Sequence, residues 1–224
     1  MTHFSFGGVG AGPLPSKSFI GTQSIFTGSA GSVSWTIPAA GPSAYAVVVV
    51  GYAGTARTPA TIGGNASTQV AAASETTSNL KTNIWVAPLT PGTTTVSIPT
   101  STGSECYMLY VVNDLANAGA ASDTGATTGS GLGYGKTLSA LNAPGNSIVI
   151  GGAFNASAGA APTAHMTWSG GVTVDASVNN TAGLVYVETS AASAVSAAAT
   201  LTLSYSWSTG GLNGASCGCA AAFI

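Results

Sequence analysis

The sequence is almost without charge. Of its 224 residues, four are Lys or Arg and six are Asp or Glu, together 4%, against roughly 25% in an ordinary soluble domain. Four cations cannot neutralise a run of phosphates, so the composition argues against a nucleic-acid partner. The chain also lacks the clustered Lys and Arg that an anionic membrane surface attracts.

Cysteines and long hydrophobic runs are scarce too. The most apolar stretch lies between residues 44 and 53, far short of the roughly 20 residues that span a bilayer, so it predicts a buried strand and no membrane insertion. Three cysteines do not form a closed disulfide set. Cys106, Cys217 and Cys219 are interpreted as small buried apolar residues, with any bridge between them left open. No cation precedes an apolar segment at the N-terminus, so no signal peptide is expected.

Alternation of apolar and hydroxyl residues is the dominant pattern, and helical periodicity is scarcely visible. The clearest example is 200–207, where Leu201, Leu203, Tyr205 and Trp207 alternate with Ser and Thr. This period of two indicates strands with one buried face. Runs that are apolar on both faces predict strands covered on both sides; they include 45–50, 107–112 and 148–150.

These features predict an all-β fold, a two-sheet antiparallel sandwich that is jelly-roll-like. Residues 1–17 are rich in Gly and Pro and predict an extended N-terminal arm, which leaves 18–224 as a single β-sandwich domain. The Gly/Ala/Ser/Thr-rich segment 117–135 predicts a long loop. Gly170-Gly171 predicts a two-residue hairpin loop. No repeat of fixed period is found.

Two segments match catalytic or phosphate-binding motifs on paper. Residues 214–218 read Gly-Ala-Ser-Cys-Gly, the pattern of a nucleophile elbow, but that site needs an acid and a His later in the chain, and none follows. Residues 131–137 resemble a phosphate loop, except that Ser130 stands where the first Gly belongs and no helix is expected to follow. Both matches are interpreted as chance.

The remaining titratable residues suggest no clear site. His165 could form a triad with a Ser and either Asp175 or Asp114, but a surface or hydrogen-bonded His is the simpler interpretation. A pair of carboxylates for glycoside hydrolysis stays open, because the fold could bring two acids together. The acids are scattered without metal-ligand spacing. We therefore predict no catalytic, cofactor-binding or metal-ligating residue.

A protein with so few charges must cover its outer strand faces with Thr, Ser, Ala and Gly. Soluble monomers ordinarily stay apart through charge and an interrupted polar surface. We therefore expect much of this surface to be covered by copies of the same chain or by other subunits.

The order of several segments resembles a known family. They are the aliphatic run 46–51, the turn 62–66, the segments 83–98 and 107–115, the strand 146–153 and the closing strand 201–207. This order is similar to the jelly-roll sandwich domains of tailed-bacteriophage virion proteins and some bacterial surface proteins, over roughly residues 32–207. The resemblance implies a non-enzymatic structural or adhesion module on the head or tail of a phage particle.

The leading hypothesis is therefore a virion protein, assembled in the host cytoplasm as a homotrimer or larger ring and contacting other virion proteins through its arm and strand faces. The sequence does not distinguish head decoration, spike and tail. One alternative is a carbohydrate-binding adhesin for a host surface glycan, which predicts an exposed aromatic such as Trp85 or Tyr134 rather than tryptophans packed in the core. Another is a hydrolase, which predicts His165 and an acid together in a cleft.

Overall fold

A computed structural model describes residues 14–28, 30–54, 59, 61–76, 79–100, 103–115, 120–121, 123–127, 135–158, 162–182, 185–197, 200–209 and 213–224. Within these ranges every regular element is a strand. The first half of the chain forms β1 Ser16–Gly28, β2 Gly31–Thr36, β3 Ala44–Ala53, β4 Thr61–Ile62, β5 Asn65–Ala66, β6 Thr68–Glu75, β7 Leu80–Pro88, β8 Thr95–Thr100 and β9 Gly103–Asn113. The second half forms β10 Asp123–Thr127, β11 Gly135–Thr137, β12 Leu141–Asn142, β13 Ile148–Ala158, β14 Pro162–Ser169, β15 Thr173–Ala182, β16 Val185–Val195, β17 Thr200–Leu201, β18 Ser204–Thr209 and β19 Asn213–Phe223.

Two five-stranded antiparallel sheets form the centre of the molecule. The first sheet has the order β1-β9-β3-β7-β6, and the second sheet has the order β10-β19-β13-β16-β15. The first and last strands of the first half of the chain, β1 and β9, lie side by side in the first sheet, and β10 and β19 of the second half do the same in the second sheet. Both sheets also carry a bulge in the strand at the same edge, in β6 between Gln69 and Ala71 and in β15 between Val174 and Ala176. The two halves therefore share one strand order, although their sequences show no repeat of fixed period.

A smaller sheet covers the outer face of each five-stranded sheet. The pair β2-β8 packs on the first sheet, and the three strands β11-β18-β14 pack on the second. Two further short pairs, β4-β5 and β12-β17, complete the outer layers. The described strands thus form four stacked layers with three apolar clusters between them.

Strand β3 shows why the apolar runs are covered on both sides. Val47 and Val49 face the second sheet, whereas Val48 and Val50 face the β2-β8 pair. All four side chains are buried, because each face of a strand in an inner layer meets another layer. The predicted all-β antiparallel sandwich is confirmed, and the structure stacks two sandwiches back to back.

The two five-stranded sheets approach each other closely because their facing residues are small. Strand β19 contributes Ala, Cys and Gly, and all residues from Ala215 to Phe223 are buried. A Cβ atom added to Gly152 would lie only 2.3 Å from Val49 Cγ1 on the opposite sheet. Polar contacts cross the same layer, since Thr82 Oγ1 donates a hydrogen bond to the Cys217 carbonyl oxygen at 3.1 Å.

The structure corrects two local predictions. Gly170 and Gly171 do adopt positive φ, 91° and 95°, but they do not close a hairpin, since β14 pairs with β18 in the outer layer and β15 pairs with β16. The turn instead carries the chain between layers, and a Cβ atom on Gly170 would lie 2.2 Å from the Thr202 carbonyl oxygen. The predicted loop 117–135 contains the strand β10, which pairs with β19.

Other predictions on organisation stay predictions. Residues 1–13 of the predicted arm lie outside the described residues, and Ser16 and Lys17 are the first residues of β1. The jelly-roll topology also stays a prediction. A jelly roll has eight strands in two sheets, whereas the outer sheets here hold two and three strands. Among the residues that the structure describes, no helix is long and apolar enough to cross a membrane.

Candidate functional site

The two motif matches lie in strands. Ser216 is buried within β19, where the Tyr205 hydroxyl donates a hydrogen bond to its Oγ at 3.5 Å. A nucleophile elbow instead holds its Ser exposed at a sharp strand-to-helix turn. Of the second match, 131–134 lie outside the described residues and Gly135–Thr137 form β11, whereas a phosphate loop leads into a helix.

The residues considered for a triad have different surroundings. His165 is exposed on β14, and its Nδ1 lies 3.2 Å from Asn179 Nδ2. Asp175 is half-buried between the two halves, where it accepts hydrogen bonds from Tyr110 at 2.8 Å and from Ser193. Asp114 accepts a hydrogen bond from Ser43 at 2.6 Å. Within the described ranges, no three His, Cys, Asp or Glu side chains are grouped as metal ligands.

The tryptophans pack mainly in the apolar clusters. Trp35, Trp85 and Trp207 are buried, and Trp168 is half-buried against the Tyr205 ring, with 5.3 Å between centroids. Because Trp85 is only 6% exposed, it does not offer the open stacking surface that the adhesin alternative predicts, and core packing of this residue is confirmed. Tyr134, the other aromatic considered for that role, lies outside the described residues.

A groove on the outer face of the first sheet gathers polar groups that no motif had marked. It is an open groove of about 230 Å³, lined by residues of β3, β6 and β7, namely Tyr52, Gln69, Ala72, Ala73, Ser74, Lys81 and Asn83. We call it the Lys81 groove. Tyr52 is the register partner of Lys81 on β7 and of Glu105 on β9, so the groove lies where three neighbouring strands carry polar side chains.

Buried hydrogen bonds organise the groove and the sheet beside it. Asn83 Nδ2 donates to the Tyr52 hydroxyl at 2.9 Å, and both residues are almost fully buried. On β9, the Tyr107 hydroxyl donates to Glu105 Oε2 at 2.5 Å, and Glu105 is 1% exposed. Buried polar groups are stable only when paired, so these bonds hold the side chains in defined positions.

Lys81 lies at the rim of the groove and is held by neutral groups. Its Nζ donates hydrogen bonds to the Gly54 carbonyl oxygen at 2.6 Å and to Asn79 Oδ1 at 2.5 Å. It also lies 6.0 Å from the centre of the Tyr52 ring, within range of a cation–π attraction. The groove thus presents one positive charge, hydroxyl groups and amide groups on a rigid sheet.

Sequence reasoning missed this groove because its residues carry no motif. One signal was present: Lys81 and Asn83 interrupt the apolar face that Trp85 and Ala87 continue along β7. A polar residue in the apolar face of an inner strand needs a partner or a ligand. The pattern could have marked the position, but not the neighbouring Tyr52 and Gln69, which come from other strands.

The interior also holds buried tyrosine hydroxyl and cysteine thiol groups that lose their protons only at high pH. Burial raises the pKa of Tyr110, and the Asp175 carboxylate beside it raises that pKa further. Burial likewise raises the pKa of Tyr205 and of Cys219, and it raises the pKa of Cys217 to about 12. The three cysteines are buried thiols, as predicted, and form no disulfide.

These shifts predict instability in alkali. The folded state keeps protons that the unfolded chain releases, so this stability is complete only below about pH 8. It falls above about pH 8.5 through the cysteines and above about pH 10 through the tyrosines, by about 1.4 kcal/mol per pH unit for each group. Urea unfolding between about pH 8 and 11 measures this slope. Tyr110→Phe should make it shallower, because one buried phenol is removed; an unchanged slope would contradict the role of Tyr110.

Comparison of the chain with protein-family models, with curated proteins and with solved structures finds no match.

Proposed function

We propose that the chain is a non-enzymatic structural protein of a bacteriophage virion, placed on the surface of the head or tail and assembled through uncharged strand faces. The observation that carries the proposal is where the few charged side chains lie. Lys17, Lys81, Lys136, Glu75, Glu105, Asp114, Asp123 and Asp175 have described side chains, and every one of them is buried or half-buried.

The acids are buried or hydrogen-bonded to groups of the same chain. Glu75 and Glu105 are each 1% exposed. Asp114, Asp123 and Asp175 accept hydrogen bonds from Ser43, from the Asn142 backbone amide, and from Tyr110 and Ser193. Burial of Glu75 and Glu105 thus removes two charges from an exterior that has few, and charge is what keeps soluble monomers apart.

The sheet edges indicate which contacts to expect. Exposed edge strands invite pairing with another chain, and natural proteins oppose this with Lys or Pro on the edge, with bulges, with inward-pointing charges or with a covering segment. Strands β6 and β15 form edges of the two large sheets. Neither contains Lys, Arg or an internal Pro, but each carries a bulge and one acid that is buried or half-buried. We therefore expect contacts with other copies or other virion proteins to use the uncharged faces of these strands rather than to extend the sheets.

The phage assignment comes from the resemblance in segment order to virion sandwich domains, and the groups described above suggest no acid–base cleft. The N-terminal arm remains part of the proposal as an anchor. The proposal places the protein in the virion, after assembly in the host cytoplasm, with no membrane insertion and no nucleic-acid partner.

Light scattering on the purified chain tests the assembly. We expect a mass that corresponds to an assembly of three or more copies of the 21.6 kDa chain. Val174→Lys places a charge on an exposed position of the edge strand β15 and should lower the mass of the assembly. Val195→Lys, at an exposed apolar residue of the inner strand β16, is the matched control. A stable monomer that never joins a phage particle, as seen by electron microscopy of labelled virions, would overturn the proposal.

A further inference from the structure

The Lys81 ammonium has no anionic partner among the residues that the structure describes. Its two hydrogen bonds go to the Gly54 carbonyl oxygen and to the Asn79 amide oxygen. An ammonium group has three N–H donors, so one donor and the whole positive charge remain for a ligand. Because two bonds already hold Nζ in place, binding would cost little ordering of the Lys81 side chain.

Asn83 offers a second unused contact in the same groove. The side chain is 5% exposed and lines the groove, and its only hydrogen bond to the described residues runs from Nδ2 to the Tyr52 hydroxyl. Its Oδ1 atom therefore keeps acceptor capacity and stays within reach of solvent, so a hydroxyl group of a ligand can donate to it.

The rim completes a pattern of alternating donors and acceptors. Gln69 is an exposed amide, Ser74 is a half-exposed hydroxyl, and Ala72 leaves an open flat surface between them. At about 230 Å³ the groove is smaller than the roughly 300–1,000 Å³ of sites for drug-sized ligands, so it suits a ligand of the size of one sugar ring. An apolar ligand would leave the Lys81 charge without a counter-ion, and a lone Lys offers a phosphate group a point charge without the bidentate N–H geometry of Arg.

We propose that the Lys81 groove binds a sugar that carries a carboxylate, with the carboxylate on Lys81 and ring hydroxyls on Asn83, Gln69 and Ser74. Acidic sugars combine one negative charge with several hydroxyls on a compact ring, which is the complement of this lining. The proposal adds a ligand to the structural role and does not depend on it, since binding is measured on the chain in any state of assembly.

Titration of the purified full chain with three probes tests the proposal: glucuronate, glucose and acetate. Glucuronate should bind with a dissociation constant in the millimolar range, and glucose and acetate should each bind at least about tenfold more weakly, a difference of about 1.4 kcal/mol. Chemical-shift changes should be confined to the residues that line the groove. Equal binding of acetate and glucuronate would mean a bare carboxylate site and would overturn the sugar, and no binding of glucuronate would overturn the site.

Variants of the chain test which residues bind glucuronate. Lys81→Met should lower glucuronate affinity about tenfold and leave it close to that of glucose. Lys81→Arg keeps the charge and should retain most of the affinity. Lys136→Met, at a half-buried Lys on β11, is the matched control and should bind like the original protein. Gln69→Ala changes an exposed rim residue without threatening folding and should weaken glucuronate and glucose together; unchanged binding in both Lys81→Met and Gln69→Ala would overturn the proposal.

Discussion

Replacing Trp207 with alanine should lower the free energy of unfolding by about 3–5 kcal/mol, the cost of deleting a large aromatic side chain from a packed core. Trp207 lies on β18 and is 3% exposed. It belongs to the outer cluster of the second half, together with Leu203, Tyr205 and Met166. The indole fills space between the three-stranded outer sheet and the second sheet, so its loss would leave a cavity between two layers.

Denaturant unfolding followed by far-ultraviolet circular dichroism measures the Trp207→Ala effect. Thr202→Ala is the control, because Thr202 lies next to the same cluster in sequence but is exposed, and its substitution should change stability by less than about 0.5 kcal/mol. A loss below about 1 kcal/mol for Trp207→Ala would mean that the outer layer does not pack on the second sheet as described.

A second large effect is expected at Gly152, where the two halves meet. The Cβ atom of an alanine would lie 2.3 Å from Val49 Cγ1 and 3.3 Å from Thr82 Cγ2, distances at which the layers must move apart. Overpacking of this kind costs about 1–3 kcal/mol, and we expect Gly152→Ala at the upper end because both neighbours belong to buried inner strands.

The compensating change makes this prediction specific. Val49→Ala removes the clashing methyl groups, so the double variant Gly152→Ala with Val49→Ala should be more stable than the sum of the single effects predicts, by about 1–3 kcal/mol in a double-mutant cycle. Gly145→Ala is the matched control, since a Cβ there meets nothing within 4 Å. Additive effects of Gly152→Ala and Val49→Ala would show that these two residues do not touch.

Alternation in the sequence was enough to predict buried faces, but the segment 200–207, predicted as one strand, forms β17 and β18 in two different sheets. Val33 and Trp35 on β2, and Tyr205 and Trp207 on β18, are buried as their spacing indicated. Which strands pair with each other was harder to predict from the sequence. Gly170-Gly171 has the conformation expected of a tight turn, yet it joins strands of different layers, because two adjacent glycines specify φ and not the partner of the strand that follows.

The common plan of the two halves was also hidden in the sequence. Strand β3 is rich in Val, whereas its counterpart β13 contains Gly151, Gly152 and Ala153. The two strands nonetheless have equivalent neighbours: β3 lies between β9 and β7, and β13 lies between β19 and β16. Strand order depends on which apolar faces meet, and many different apolar residues satisfy one order, so two copies of a plan need not look alike.

The sequence by itself determined the class of fold, the central buried strands and the shortage of charge, because each follows from composition or from a local period of two. Only the tertiary structure decided that two sandwiches stack through Gly152 and Val49, and that Lys81, Asn83 and Tyr52 share one groove. The physical reason is that alternation specifies which side of a strand is buried but not what lies against it. The bond from Asn83 to Tyr52 joins residues 31 positions apart, and the bond from Thr82 to Cys217 joins residues 135 apart, distances over which no local pattern carries information.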